Sequence, residues 1–219
     1  MNSVIVVAGG VGKRTGLNVP KQFVQVPSSN KRIIQYSIDE FIQNDLINEI
    51  IIVVHKNWYN TISSEFSDCK VVIGGETRFM SSYNGLKNCS SNCNKVLIHD
   101  AARPLITQNI INKGINYLDK HDAAIPVIDS TNSLVDISEK HLRYLDRNNI
   151  KSVQTPQYFI YNKIFDAYKN ANIDNKFTDD MSVLLNSKPN CTFKYFSGNN
   201  QNFKITTSKD LEDVINLLK

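Results

Sequence analysis

The sequence predicts an α/β protein: a doubly wound, mostly parallel sheet with helices between its strands and a protruding β-arm. Three observations lead there. Short apolar runs alternate along the chain with stretches whose apolar residues recur at helical spacing. The last such stretch carries its own N-terminal cap. One segment past the middle breaks the alternation with short period-2 pieces around a polar turn.

The strands come first. Residues 4–8, 50–54, 70–73, 95–99 and 123–127 are short and apolar, the pattern of strands buried on both faces. Between them, Ile34, Ile38, Phe41 and Ile42 share one helical face, and residues 106–118 also read as helix. Thr178-Asp-Asp reads as the cap of a helix over residues 181–185. At the C-terminus, Thr207 and Asp210 form a capping box ahead of a stripe of Leu211, Val214, Ile215 and Leu218. Residues 129–152 hold the alternating pieces 133–137 and 142–145, which predict a hairpin arm leaving the sheet. Such an arm exposes apolar side chains on a unit that is marginal alone, so it is expected to pack against a second copy of the chain. A polar loop, residues 197–202, precedes a strand-like piece at 203–205.

A chain of 219 residues suits one domain with a small excursion, here expected over residues 1–219. The net charge of +4, from 25 basic and 21 acidic side chains, is mild and scattered. That excludes a nucleic-acid footprint and still suits a site that gathers phosphates. Cys69, Cys89, Cys93 and Cys191 lack the matching Cys or His pair that a zinc site needs, and they suggest no disulfide framework. The opening apolar run is too short for a signal peptide, and no stretch nears the ~20 residues that cross a bilayer. The expected location is the cytoplasm.

The chemistry starts at the first strand–helix junction, Ala8-Gly9-Gly10-Val11-Gly12-Lys13-Arg14-Thr15-Gly16, followed by Pro20-Lys21-Gln22. Glycines after a strand let backbone N–H groups approach phosphate oxygens. Two familiar nucleotide loops fail here. The P-loop of NTPases requires Ser or Thr after Gly-Lys, and Arg14 stands there. The dinucleotide fingerprint requires a third glycine where Thr15 stands, and an acidic residue where the chain reads Val54-His55-Lys56. What remains is a glycine loop with two cations, Arg14 and Lys21, close to the turn, which points to phosphate binding.

With those residues in hand, the chain resembles the sugar-phosphate cytidylyltransferases. Gly10-x-Gly12-Lys13-Arg14 with Pro20-Lys21-Gln22 is similar to that family's signature. Further blocks follow in family order: Gly74-Gly75-Glu76-Thr77-Arg78 running to Ser81, His99-Asp-Ala-Ala-Arg-Pro104, Pro126-Val-Ile-Asp-Ser130, Arg147, Gln154-Thr-Pro-Gln157, Thr178-Asp-Asp-x-Ser182 and Phe203-Lys-Ile-Thr-Thr207. Thr15 stands where the family usually has Met, and Ser130 where it has Thr; Ser keeps the hydroxyl.

The resemblance implies the fold of a Rossmann-like nucleotidyltransferase and a transfer of CMP from CTP to a small sugar-alcohol phosphate. Arg14, Lys21 and Lys204 would surround the triphosphate. Ala8, Gly9, Gly10 and Gly12 would form the nucleotide loop, and Gly75, Glu76 and Ser81 would lie along the cytosine. Asp100 and Arg103 would face the acceptor, with Asp100 near a Mg²⁺ ion. Ser130 and Arg147 would reach the acceptor phosphate from the arm of a partner subunit in a homodimer. Two branches of the family differ in acceptor, methylerythritol phosphate or ribitol phosphate. Ala102, Pro126-Val127 and Asp179-Asp180 lean toward the first. An inactive regulatory or scaffold protein on the same fold is the competing class, and it would be expected to lose the phosphate cations first.

Overall fold

The fold is that of a computed structural model, which describes residues 1–10, 19–138, 141–172 and 176–218. The chain begins with β1 (Asn2–Ala8), then α1 (Ile33–Ile42), β2 (Glu49–Val54), α2 (Tyr59–Glu65), β3 (Lys70–Ile73) and α3 (Arg78–Leu86). It continues with β4 (Lys95–Asp100), α4 (Gln108–Tyr117), β5 (Ala123–Asp129), β6 (Leu134–Asp136), β7 (Arg143–Leu145), β8 (Lys151–Val153) and β9 (Gln157–Ile160). α5 (Tyr161–Asn170), α6 (Asp180–Ser187), β10 (Phe193–Ser197) and α7 (Ser208–Leu217) complete it.

Among the described residues the main sheet runs β10-β5-β9-β4-β1-β2-β3, with β8 beside β5. β1 pairs in parallel with both β2 and β4. The chain builds outward from β1 to β2 and β3, then returns to lay β4 on the other side of β1. The order reverses between β1 and β4, and the crevice above the carboxyl ends of such strands is where open α/β sheets bind ligands.

Period-2 alternation sorts the core into two layers. Val4, Val6 and Ala8 point to one face, packed with Ile34, Ile38 and Phe41 of α1 and Ile110, Ile111 and Ile115 of α4. Ile5 points to the other, with Leu86 of α3, Ile164 of α5 and Met181 and Leu184 of α6. α7 buries Leu211 and Val214 in a third cluster with Ile33 and Ile205. Its capping box forms as expected, with Thr207 and Asp210 reciprocally bonded. α4 packs so tightly on the sheet that a Cβ at Gly114 would stand 2.2 Å from the buried Tyr158 ring.

The five expected strands are present, and several details differ from expectation. β3 is the edge of the sheet, not buried on both faces: Ile73 is 50% exposed. Ile42 does not join the face of Ile34, Ile38 and Phe41; it is 55% exposed. Residues 203–205 form no ladder, and the segment is held by the Ile205 N–H donating to the Ala102 carbonyl at 2.9 Å. The sheet also gains antiparallel members, β8 and β9, which run against β5 and β4. The arm is present as the two-stranded β6–β7 pair, Leu134 opposite Leu145. Its two ends belong to the main sheet, through Asp129 in β5 and Lys151–Val153 in β8. The expected helix after Thr178 is α6, with Asp179 as its cap in a box with Ser182.

Candidate active site

At the exit of β1, the Gln22 side-chain amide donates to the Ala8 carbonyl at 2.8 Å and to the Gly10 carbonyl at 2.7 Å. One side chain therefore ties the glycine loop to the short 3-10 turn Lys21–Phe23, and Lys21 is buried on that turn beside Gln22. The turn itself is anchored from below: Phe23 packs on Trp58 at 4.5 Å between ring centroids, and Arg32 donates to the Phe23 carbonyl at 2.7 Å. Gly12 and Arg14 lie outside the described residues.

Across the crevice, Gly74-Gly75 follow β3 in the turn that leads to α3. Thr77 caps the helix by accepting from the Met80 N–H at 3.1 Å. Any Cβ on Gly75 would lie 2.3 Å from the Met80 Cβ, so only glycine admits this close return. The Ser81 hydroxyl accepts from the Gly75 N–H at 3.2 Å and donates to the Gly75 carbonyl at 3.3 Å. These elements line a cleft of about 550 Å³ that includes Gly9, Gly10, Lys21, Gly75, Glu76 and Ser81. A second cleft of about 290 Å³ contains Arg103, Thr155, Gln157 and Asp179. The two share Arg78, Asp100 and Lys204.

That shared wall is an ion cluster. Asp100, the last residue of β4, accepts from Arg78 Nε at 3.0 Å and from Lys204 Nζ at 2.6 Å. Arg78 turns its two terminal nitrogens onto Asp180, at 3.0 and 2.6 Å, and the Tyr168 hydroxyl donates to the same carboxylate at 2.6 Å. Burial would raise the Asp100 pKa, but Arg78, Lys204 and Arg103 outweigh it and hold the carboxyl far below the usual carboxylate range. Burial likewise opposes charge on Arg78, and Asp180 and Asp100 reverse this, holding the guanidinium well above its ordinary value. Asp180 is fully buried, and without Arg78 its charge would be expensive.

The second cleft is framed by a polar relay behind β4. The Asp100 N–H donates to the Thr155 hydroxyl at 3.0 Å, Thr155 lies 3.2 Å from His99 Nδ1, and His99 Nε2 lies 2.9 Å from the Arg103 carbonyl. A carbonyl only accepts, so Nε2 carries the proton and Nδ1 accepts from Thr155. Burial pushes the His99 pKa down to about 4. His99 is thus a neutral, fully buried residue that holds Thr155 and the Arg103 carbonyl. Arg103 donates to the Asn202 carbonyl at 2.8 Å, which sets its guanidinium at the side of the cleft.

The expected site residues therefore divide. The crevice brings together Gly9, Gly10, Lys21, Gly75, Glu76, Ser81, Asp100, Arg103 and Lys204, with Ala8 directly beneath the loop. Ser130 and Arg147 line neither cleft. They sit at the arm, where the Ser130 hydroxyl donates to the Asn132 carbonyl at 3.2 Å and Arg147 donates to the Thr131 carbonyl at 3.3 Å. Sequence reasoning did not single out Arg78, Thr155, Gln157 or Gln22 as site residues. All four stood inside quoted motifs. The pairing of Arg78 with Asp180, 102 positions away, left no local trace.

Residues 2–218 match the family model described as 2-C-methyl-D-erythritol 4-phosphate cytidylyltransferase. The proteins of that name from Clostridium botulinum (strain Okra) and Clostridioides difficile (strain 630) are 38% and 37% identical to this chain. The first alignment covers 96% of this chain and 94% of the relative, the second 100% and 95%. The crystal structure of a 4-diphosphocytidyl-2C-methyl-D-erythritol synthase from Anaerococcus prevotii superposes with a TM-score of 0.88 at 25% identity, over 100% of this chain and 96% of the other. The Francisella tularensis 2-C-methyl-D-erythritol 4-phosphate cytidylyltransferase reaches 0.80 at 28% identity, over 97% of each chain. Matched to that family over residues 2–218, and 37–38% identical to its members over nearly its full length, this chain belongs to the 2-C-methyl-D-erythritol 4-phosphate cytidylyltransferase family.

Proposed function

We propose that the chain transfers CMP from CTP to 2-C-methyl-D-erythritol 4-phosphate, giving 4-diphosphocytidyl-2-C-methyl-D-erythritol and pyrophosphate in non-mevalonate isoprenoid biosynthesis. The observation that carries this reading is the shared wall. A nucleotide cleft and a smaller polar cleft meet at Arg78, Asp100 and Lys204, as a reaction between two phosphorylated molecules requires.

An oxygen of the acceptor phosphate attacks the α-phosphorus of CTP. The new P–O bond forms as the bond to the β-phosphate bridge breaks, and the electron pair leaves on pyrophosphate. The attacking phosphate is already an anion, so no general base is needed. The obstacle is repulsion between two polyanions, and positioned cations lower it. Lys21, Lys204 and Arg14 serve the triphosphate and the charge that builds on it. Ala8, Gly9, Gly10 and Gly12 approach the nucleotide through their backbone, while Gly75, Glu76 and Ser81 flank the base. Asp100 and Arg103 face the acceptor.

Among the described residues no group of three or more His, Cys, Asp or Glu side chains could hold a metal ion. Mg²⁺ binds through one or two carboxylates together with substrate phosphates and water. Asp100 is the carboxylate at the junction of the clefts and would be the residue to hold it. When bound, the ion neutralises phosphate charge.

The homodimer belongs to the same proposal. The arm exposes Val135, Ile137, Leu142 and Tyr144, between 40% and 76%, and a two-stranded unit with such a face is marginal in water. Ser130 and Arg147 complete the acceptor site of the neighbouring subunit. One domain with this arm carries the reaction. Free cysteines and small phosphorylated substrates suit the cytoplasm, and no described helix is long and apolar enough to cross a membrane.

The test is pyrophosphate release with CTP and Mg²⁺, run in parallel with methylerythritol phosphate and ribitol phosphate. Turnover confined to the first acceptor is expected. Preference for ribitol phosphate would move the chain to the sister branch, and no release with either would favour a scaffold role. Turnover with ATP comparable to CTP would overturn the cytidylyl assignment.

A further inference from the structure

The strands from which the arm leaves also hold a buried side chain, Gln154, which follows β8 and is 1% exposed. Its backbone N–H donates to the Pro126 carbonyl of β5 at 2.9 Å, which fixes it against the sheet. Its side chain faces the polar loop after β10. The amide nitrogen donates to the Asn199 carbonyl at 2.9 Å and to the Asn202 carbonyl at 3.2 Å, and the amide oxygen accepts from the Asn199 N–H at 3.2 Å. One glutamine thus bonds three backbone groups of a single turn, which the Asn202 N–H closes on the Asn199 carbonyl at 2.9 Å. Asn202 is itself fully buried, and its side chain donates to the Thr155 carbonyl at 2.9 Å.

This turn leads directly to the ion cluster. The Asn202 carbonyl that Gln154 holds also accepts from Arg103 Nη1 at 2.8 Å. Two residues on, Lys204 Nζ reaches Asp100 at 2.6 Å. The Ile205 N–H then donates to the Ala102 carbonyl at 2.9 Å. Lys204 therefore stands on a short span pinned at both ends, by Asn202 and by Ile205.

We propose that Gln154 is a positioning residue for the transfer: by holding the 199–202 turn it sets Arg103 at the acceptor cleft and Lys204 on the wall between the clefts. This rests on the function proposed above. Gln154 lines neither cleft, so it acts only through the turn. Two carbonyls and one N–H converge on it, and an amide answers both with its donors and its acceptor. Methionine, of similar length, would leave all three backbone groups without this partner. The fit is close from the loop side too, since a Cβ on Gly198 would collide with the Gln154 amide oxygen. Misplacing reacting groups by ~1 Å can cost ~10² in rate even when every contacting residue is unchanged.

The experiment compares Gln154→Met with the unmutated full-length protein. Gly198→Ala disturbs the same clamp from the other side and keeps the test open if Gln154→Met fails to fold. In steady-state kinetics kcat should fall by about tenfold to hundredfold. KM for methylerythritol phosphate should rise while KM for CTP holds, because Lys21, Gly75 and Ser81 lie on other elements. In an Arg103→Ala background Gln154→Met should raise the acceptor KM no further. Amide exchange followed by NMR needs no substrate. The Ile205 N–H makes its bond to Ala102 and not to Gln154, yet it should exchange about tenfold faster or more in either variant, while Val6 in β1 keeps its protection. Unchanged exchange at Ile205, kinetics within about twofold of the unmutated protein, or fully additive KM effects with Arg103→Ala would overturn the proposal. Absence of turnover in the unmutated protein would instead remove the function it rests on, and Ile205 exchange would still decide whether Gln154 holds the span.

Discussion

Arg78 grips Asp180 with two parallel hydrogen bonds, at 3.0 and 2.6 Å, while its Nε reaches Asp100 at 3.0 Å. The guanidinium thereby fixes a fully buried carboxylate on α6 to the carboxylate that separates the two clefts. A lysine cannot bridge both, because it lacks the planar fork. Arg78→Lys is therefore expected to lose most activity. Arg78→Ala strands the Asp180 charge and should destabilise the fold by about 3 kcal/mol. Urea unfolding measures the loss, and in the double variant with Asp180→Leu it should be smaller than the sum of the two single losses.

Lys21 sits on a turn whose position is set by Gln22, Arg32 and Trp58. Its ammonium is held in place before the charge of the transition state develops, so Lys21→Ala should lower kcat by ~10²–10³ and raise KM for CTP far less. Steady-state kinetics over a CTP titration provide the check. A variant close to unmutated activity would remove Lys21 from the proposed mechanism.

Stability should depend on pH through His99. Burial lowers its folded pKa from 6.5 to about 4, so below pH 6.5 the unfolded chain binds a proton that the folded chain still refuses. Stability then rises with pH between these values and falls as acid is added. The contribution is a loss of about 2 kcal/mol on going from about pH 7 to about pH 5. His99→Gln should flatten that slope in urea titrations while lowering stability at the higher pH.

The proposed dimer has a test that depends on symmetry alone. Lys21→Ala and Arg147→Ala are each expected to be nearly inactive. If Arg147 serves the partner's site, a mixed dimer holds one site with both lesions and one with neither. Random exchange then restores about one site in four. With subunit exchange verified by a tag pull-down, continued inactivity would rule out the shared site.

Gly114 offers a purely structural prediction. Alanine there would improve helix propensity by about 1 kcal/mol, but its Cβ would stand 2.2 Å from the Tyr158 ring. Tyr158 has no room to give, being fully buried with its hydroxyl bonded to the Ile110 carbonyl at 2.9 Å. Overpacking of this kind costs about 1–3 kcal/mol. A net fall in the urea midpoint is expected.

The parallel core was legible because β1, β2 and β4 are unbroken apolar runs and α7 announces itself with Thr207 and Asp210. β9 was not, because Gln157 and the cap-free start of α5 blur its limits. β10 was missed for a different reason: as an edge strand it exposes Phe193 and Tyr195, so no apolar run marks it. α3 carries Gly85 and several small polar residues, which weaken its periodic signal. In the cleft, Lys21 and Asp100 could be found from local motifs. The pairing of Asp100 with Lys204 and of Arg78 with Asp180 could not, since a contact between residues about a hundred positions apart leaves no spacing to read.

The ion cluster also bears on which anions the crevice selects. Arg78, Lys204 and Arg103 face it, but Asp100 and Asp180 already occupy much of their charge. A small anion such as inorganic phosphate must compete with two internal carboxylates for the same cations and gains little. On the proposed mechanism, a triphosphate would compete for Lys204 with more negative charge than a lesser phosphate brings, so the internal carboxylates would act as a counterweight that only a highly charged ligand overcomes.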